Sequence, residues 1–241
     1  VMLQIARWLL RHLDKPELLL WLVGAGGQLH WWIRNRITIA LHDTPPPDGI
    51  AKLWGLLLAG RVRSYAPHPN LFDWKSQFQR IGLTAGLRLQ LINQLAPSIT
   101  LRAPFKSSSR PIKDTGDAPE RITDLVEWEL VLEANHARAA LEGMEDNPLW
   151  REALLALLGD FTSLLKDALD IMSELEKANE KSDLSYFAYP SITPHPQNND
   201  YLEWTLLIEL VREAWTEAAD KNPGLAQHEA IRWLSIQYPL F

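Results

Sequence analysis

One apolar stripe constrains the fold of this chain more than any other feature of the sequence. Between residues 149 and 175 apolar side chains recur every three or four positions, the spacing that puts them on one face of an α-helix. Asn147 and Pro148 form a typical cap and first turn, so the pattern predicts one helix from Pro148 to about Glu180, with Gly159 as a candidate bend. The stripe comprises Leu149, Ala153, Leu154, Leu157, Phe161, Leu164, Leu165, Ala168, Met172 and Leu175.

The N-terminal part of the sequence predicts shorter helices that end at glycine or proline. Asp14 is a candidate N-cap for the second of them, because Pro16 would occupy its first turn. Gly82 and Gly86 interrupt a later pattern, which predicts either two helices or one bent helix ending at Pro97. The other predicted helices in this part cover residues 2–13, 16–24, 28–41, 50–59 and 71–80.

The middle of the chain contains the only candidate strands. Residues 98–105 alternate with period two and are rich in branched side chains, which predicts a strand or an extended arm. Residues 106–119 have the serine, proline and glycine content of an exposed loop. Residues 121–133 fit a helix, but residues 130–132 beside Trp128 could instead pair as a strand with 99–101.

The remaining pattern is helical again, and it fixes the predicted fold class. Residues 136–144, 200–219 and 223–236 predict helices, and a loop rich in tyrosine and proline lies between 182 and 199. We therefore predict a mainly α protein, an irregular αα-hairpin or solenoid-like helical array with at most one small β-hairpin. The predicted parts are a helical subdomain (1–97), an extended arm with a loop (98–134) and a long-helix subdomain (135–241).

Composition argues against several classes of partner and site. The net charge is −6, and no basic cluster is dense enough to predict nucleic-acid binding. The chain has no cysteine, which removes disulfides, thiolate nucleophiles and cysteine-ligated zinc and fits a reducing cytoplasm. No stretch approaches the roughly 20 apolar residues of a membrane span. We therefore expect a cytoplasmic protein that binds neither nucleic acid nor membrane.

Tryptophan is unusually frequent, with 11 residues spread over nearly the whole chain. A stacking platform for sugars or bases would gather these rings in one segment. Their even spacing, mostly inside helical patterns, predicts instead that they anchor helix crossings in the core.

No catalytic pattern stands out among the polar residues. The seven histidines have no metal-ligand spacing, and Gly24–Gly27 fits a helix C-cap better than a phosphate loop. Glu127, Glu129 and Glu133 predict a solvated face. We therefore predict no catalytic, cofactor-binding or metal-binding residue.

Two histidines and an asparagine are the candidate binding residues. His68 and His195 each stand between prolines, and they predict rigid loop corners with a possible binding role. Asn198 closes the segment that contains His195.

Several segments together resemble the helical region that follows the sirtuin-like domain of large bacterial anti-phage defence proteins, the defence-associated sirtuin-like family. The resemblance implies a non-catalytic scaffold or sensor that controls an NAD-hydrolysing domain elsewhere in the protein. It implies a protein partner, either a phage trigger or the parent's own domains, and allows homo-oligomers through the parent. These segments span residues 8–14, 26–30, 101–105, 146–150, 190–198 and 238–241.

Two other interpretations remain open at this level. One is a free-standing helical protein-binding domain of unrelated function, and the other is an enzyme with a site around the Pro-His-Pro loops. The apolar first and last residues favour a segment of a longer protein. In that case Leu240 and Phe241 are expected to pack on the preceding helices or against a neighbouring chain.

Overall fold

A computed structural model describes residues 2–25, 29–63, 71–103, 122–183, 185, 198 and 202–240. The chain is mainly α-helical and has one small two-stranded antiparallel sheet, so the predicted fold class is confirmed. None of the helices within these ranges is long and apolar enough to cross a lipid bilayer. The helices are α1 (Met2–Leu10), α2 (Pro16–Gly24), α3 (Trp31–Asp43), α4 (Asp48–Leu58), α5 (Leu71–Ile81), α6 (Ala85–Gln94), α7 (Ile122–Leu125), α8 (Ala137–Leu141), α9 (Pro148–Glu174), α10 (Leu206–Lys221) and α11 (Pro223–Trp233), and the strands are β1 (Pro97–Arg102) and β2 (Glu127–Leu132).

The chain divides into two compact units, each built from two separate stretches of sequence. Unit 1 consists of residues 1–66 and 99–129, and unit 2 of residues 67–98 and 130–241. These packing units have other boundaries than the segments 1–97, 98–134 and 135–241 predicted from composition, and that division stays a prediction.

In unit 1, α1 packs on α3 and α2 packs on α4. Trp54 of α4 is completely buried, and its indole Nε1 donates a hydrogen bond to the carbonyl oxygen of Leu13 over 2.9 Å. The turn between α1 and α2 is therefore tied to the centre of this unit.

The predicted capping role of Asp14 is wrong. Lys15 occupies the N-cap position of α2, and its side chain makes no capping hydrogen bond. Pro16 at the first helical position supplies the required φ angle and has no N–H to satisfy, so the helix begins without a side-chain cap. Asp14 instead forms an exposed ion pair with the ammonium group of Lys15 at 3.2 Å.

Of the two alternatives for residues 121–133, the strand is correct for 127–132 and a short helix precedes it. Strand β1 is bordered by β2 and also by a parallel bridge between Val62 and Ile99. The Ile99 N–H donates to the Arg61 carbonyl, and the Arg63 N–H donates to the Ile99 carbonyl, both over 2.7 Å. The branched residues that predicted an extended arm thus form a buried inner strand.

The interruption at Gly82 and Gly86 produces two helices rather than one bent helix. Gly82 has a φ of +71°, a left-handed conformation that glycine adopts without a Cβ penalty. Thr84 then caps α6, because its Oγ1 accepts a hydrogen bond from the Leu87 N–H over 3.2 Å.

Unit 2 is built around α9, the helix predicted from the apolar stripe. Asn147 caps it as predicted, with Oδ1 accepting from the Leu149 N–H over 2.9 Å. The helix continues through Gly159 but ends at Glu174, six residues before the predicted end. Glu176 has a φ of +62°, so the chain turns away from the helix there. Most of the apolar stripe is buried, and α10 packs along it.

The tryptophan prediction is correct for part of the set only. Trp54, Trp74 and Trp150 are completely buried side chains that anchor helices, and Trp204 is also buried. The tryptophans that contradict the prediction lie on the first three helices and are half or more exposed: Trp8 (52%), Trp21 (61%) and Trp31 (71%).

The C-terminal segment is fastened to unit 2 by two carboxylates. Tyr238 donates its hydroxyl to Asp170 of α9, and the Leu240 N–H donates to Asp183, both over 2.7 Å. Asp183 is 1% exposed, and it also accepts hydrogen bonds from the backbone and hydroxyl of Ser185. Leu240 is half-buried, its predicted packing on the preceding helices stays a prediction, and Phe241 lies outside the described residues.

We expect Tyr238→Phe to lower the free energy of unfolding by about 1 kcal/mol at pH 7, the contribution of one hydrogen bond. Burial, with Asp170 beside the hydroxyl, raises the pKa of Tyr238 to about 12 from its usual 10. The contribution is therefore fully present below pH 10 and is lost as the pH rises from 10 to about 12. Urea titrations of both proteins at pH 7, 9 and 11 test this, and an unchanged difference at pH 11 would contradict it.

Candidate docking groove

The predicted binding residues give no assembled site in the structure. His68 and His195 lie outside the described residues, as do the loop 106–119 and most of 182–199. Asn198 is described, is half-buried and is engaged in a contact. Across the described part of the chain, no three histidine, aspartate or glutamate side chains are grouped closely enough to hold a metal ion.

The glutamates of β2 also do not form a pocket. Glu127 and Glu129 are two residues apart in a strand, so they share a face, and both are exposed. Glu129 lies 4.0 Å from the guanidinium of Arg102, a distance typical of a solvated surface pair.

Unit 2 contains a groove that, unlike the exposed glutamates of β2, is enclosed on several sides. It lies between α8 with the turn that follows it, the start of α9, and one face of α10, and it encloses about 410 Å³. Helix α10 contributes Leu206, Glu209, Leu210 and Glu213, whose spacing of three and four residues puts them on one stripe. The groove is therefore lined mainly by helical side chains, together with Glu142, Met144 and Glu145 from the turn after α8.

The floor of the groove is apolar and firmly supported. Trp150 is 1% exposed and belongs to a cluster of buried rings, with centroid distances of 6.2 Å to Trp74, 5.8 Å to Phe78 and 6.3 Å to Phe161. Edge-to-face packing of this kind stabilises aromatic pairs beyond the area that they bury. The other buried apolar residues that line the groove are Leu141, Met144, Leu206 and Leu210.

One ion pair crosses the groove from α8 to α10. The Arg138 guanidinium donates to the carboxylate of Glu209 and, over 2.9 Å, to the hydroxyl of Thr205. Thr205 is completely buried and donates in turn to the Leu202 carbonyl over 2.7 Å. Because both charged partners are half-buried, this pair fixes the two walls relative to each other more firmly than a surface pair would.

Glu213 is a half-buried carboxylate in the lining of the groove. Burial raises its pKa, a hydrogen bond from the Trp150 indole opposes that rise, and the negative charge of Glu145 adds to it. The ionised form of Glu213 is therefore destabilised in the groove.

We expect Glu213→Gln to stabilise the protein at pH 7. A carboxyl whose pKa is raised in the folded state binds protons more tightly there than in the unfolded chain, so it lowers stability as the pH rises from its ordinary value of 4.5 through the raised value. Glutamine keeps the acceptor for the Trp150 indole and removes the charge. The gain in the free energy of unfolding should vanish below pH 4.5. Urea titrations of both proteins at pH 4 and 7 measure it. Equal stability of both proteins at pH 7 would contradict this.

Each of two other cavities in unit 2 contains an aspartate whose carboxylate is already bound by a cation. One, of about 570 Å³, lies beside Arg88, which makes a bidentate ion pair with Asp160 at 2.6 and 3.0 Å. The other, of about 630 Å³, is walled by the C-terminal segment and contains Asp170, which accepts from both Lys166 and Tyr238. The groove beside Trp150 is therefore the best candidate site.

The residues of this groove were not predicted from the sequence, although α10 carries one signal of them. Glu213 follows Leu206 and Leu210 at helical spacing, so a carboxylate sits on the apolar stripe of α10. A buried carboxylate is uncommon unless a function or a partner retains it.

Comparison with curated proteins gives one informative similarity. The chain is similar to the uncharacterized protein y4cA of Sinorhizobium fredii (strain NBRC 101917 / NGR234), with 23% identity over 221 residues. The match covers 90% of this chain but only 18% of that protein, so the chain spans less than a fifth of its relative. No protein-family model and no solved structure matches the chain.

Proposed function

We propose that this chain is a helical, non-catalytic region of a larger protein, and that it binds a protein partner through the groove beside Trp150. The observation that carries the proposal is an apolar floor enclosed by charged residues from two helices and the turn after α8. This combination is typical of grooves that receive a side chain or short segment of another protein. Arg138 and Glu209 would hold the walls in place, and the buried Trp150 would support the apolar floor from beneath.

We further propose that the region controls an NAD-hydrolysing domain in a bacterial anti-phage defence protein. The resemblance described above supports this role, and the length of the Sinorhizobium fredii relative supports a larger protein. In this proposal the partner is a phage trigger or another domain of the same protein. The region itself would then act in the cytoplasm, where NAD and the trigger are both present.

The test compares two sets of substitutions in the parent protein. E142Q/E145Q/E213Q removes three negative charges from the groove, and E152Q/E174Q/D220N removes three from exposed sites outside it. Cells that express each protein are infected with a panel of phages, and NAD is measured over time.

We expect NAD to fall after infection in cells with the unaltered protein and with E152Q/E174Q/D220N. The groove variant should change the rate of NAD loss at least threefold. If NAD stays constant in every infection, the proposed control of an NAD-hydrolysing domain is wrong. If both variants behave like the unaltered protein, the groove is not the site of control.

A further inference from the structure

We propose that the groove beside Trp150 recognises a basic protein segment, in which an apolar side chain enters the groove and flanking arginine or lysine residues meet its glutamates. This inference rests on the proposed protein-binding function and specifies the chemistry of the partner. It is carried by the charge, the shape and the floor of the groove.

The charge of the groove is unbalanced. Its lining contains four glutamates and two arginines, and the half-buried pair between Arg138 and Glu209 already neutralises one of each sign. Among the lining residues Glu142, Glu145 and Glu213 then have one further cation, Arg212. Lys75 and Arg151 lie at the edge, where they donate to the backbone carbonyls of Glu142 and Glu145 over 2.6 and 2.9 Å. Three carboxylates around one apolar floor complement a segment with at least two positive charges.

The surroundings of the groove strengthen this preference. Unit 2 carries 20 aspartate and glutamate residues against 11 lysine and arginine residues, a net charge of −9, whereas unit 1 carries 10 against 13, a net charge of +3. The field around the groove is therefore negative well beyond its lining, and it attracts cationic segments and repels acidic ones before contact.

The shape of the groove limits what can enter. A volume of about 410 Å³ lies at the lower end of the range for small-ligand sites, roughly 300–1,000 Å³. One or two side chains fit, with the rest of the partner lying across the opening. A leucine or the methylene stem of an arginine would lie over Leu141, Leu206 and Leu210, above the buried Trp150 and Met144, while charged ends stay at the rim.

Glu213 links recognition to proton release. The groups that face it are Trp150 from α9, Glu145 from the preceding turn, and Glu209 and Arg212 from its own helix, while Arg138 and Glu142 complete the lining. A cation bound beside Glu213 favours its ionised form and lowers its raised pKa, so binding should strengthen as the pH rises above that value.

The direct test uses the full chain and three fluorescein-labelled peptides. Each peptide has the same alanine-rich helical sequence with one central leucine, flanked on both sides by arginine, by glutamate or by glutamine. Fluorescence anisotropy gives the three dissociation constants at low salt and at 0.3 M salt.

We expect the arginine peptide to bind at least tenfold more tightly than the glutamine peptide, and the glutamate peptide not to bind measurably. Salt should weaken binding of the arginine peptide, because the attraction acts at a solvent-accessible rim. E142Q/E145Q/E213Q should reduce its affinity about tenfold, whereas E152Q/E174Q/D220N should retain affinity within twofold.

Two outcomes would overturn the inference. One is equal binding of the arginine and glutamine peptides. The other is an equal loss of affinity in the two triple variants, which would assign the attraction to the net charge of unit 2 rather than to the groove. Circular dichroism of both variants confirms that each remains folded.

The peptide test and the NAD test distinguish the two proposals, because either test can fail while the other succeeds. If peptide recognition depends on the groove but NAD never changes, the recognition chemistry stands and the proposed cellular role falls. If the groove variant alters NAD loss but the arginine peptide is not preferred, the groove controls the effector through a partner of different chemistry.

Discussion

Trp150→Ala is expected to lower the free energy of unfolding by about 3–5 kcal/mol, the range for removing a buried tryptophan or phenylalanine ring. Trp150 is 1% exposed and contacts three other buried rings, so the cavity left by alanine would have no flexible neighbour to fill it. The substitution also removes the indole donor to Glu213 and leaves a partly desolvated carboxylate without that hydrogen bond.

Urea denaturation followed by circular dichroism measures this effect, with Trp21→Ala as the matched control. Trp21 is 61% exposed, and its loss should change stability by no more than about 0.5 kcal/mol. A loss below about 1 kcal/mol for Trp150→Ala would show that the ring cluster does not support the groove. Trp150→Phe should keep most of the stability and should weaken binding of the arginine peptide.

Trp54→Ala is expected to have an effect of similar size in unit 1. The side chain is completely buried in α4, and its Nε1 binds the Leu13 carbonyl over 2.9 Å. Alanine removes both the ring and that hydrogen bond, so we expect a loss of about 3–5 kcal/mol. The N–H groups of α2 and α4 should also exchange faster with deuterium.

Trp54→Phe separates the two contributions. Phenylalanine keeps most of the buried ring and leaves the Leu13 carbonyl without its donor, which should cost about 1–3 kcal/mol. Trp31→Ala is the matched control, because Trp31 is 71% exposed. If the alanine and phenylalanine variants were equally stable, the ring itself would contribute nothing to this core.

Helix-forming segments were largely predictable because their signals are local. The stripe of α9, the cap at Asn147 and the break at Gly82 all depend on residues within a few positions of one another. The end of α9 and the cap of α2 were not predicted correctly, because single positions decide them. The left-handed Glu176 and the proline after Lys15 override the surrounding pattern.

The candidate site was far less predictable, because distant parts of the sequence form it. Arg138 and Glu209 are 71 positions apart, and Arg88 and Asp160 are 72 apart. Asp160 and Asp170 are both on α9, and Arg88 and Tyr238 bind them through tertiary contacts. Spacing along one helix carries no information about such partners.

The interleaving of the two units has a consequence for synthesis and dissection of the chain. Unit 1 requires residues 99–129, so it cannot be completed until that stretch leaves the ribosome, when residues 67–98 of unit 2 have already emerged. Residues 67–98 therefore emerge before α9, on which their packing in unit 2 depends, and they stay unpacked while unit 1 folds. For the same reason no single cut along the chain releases either unit intact.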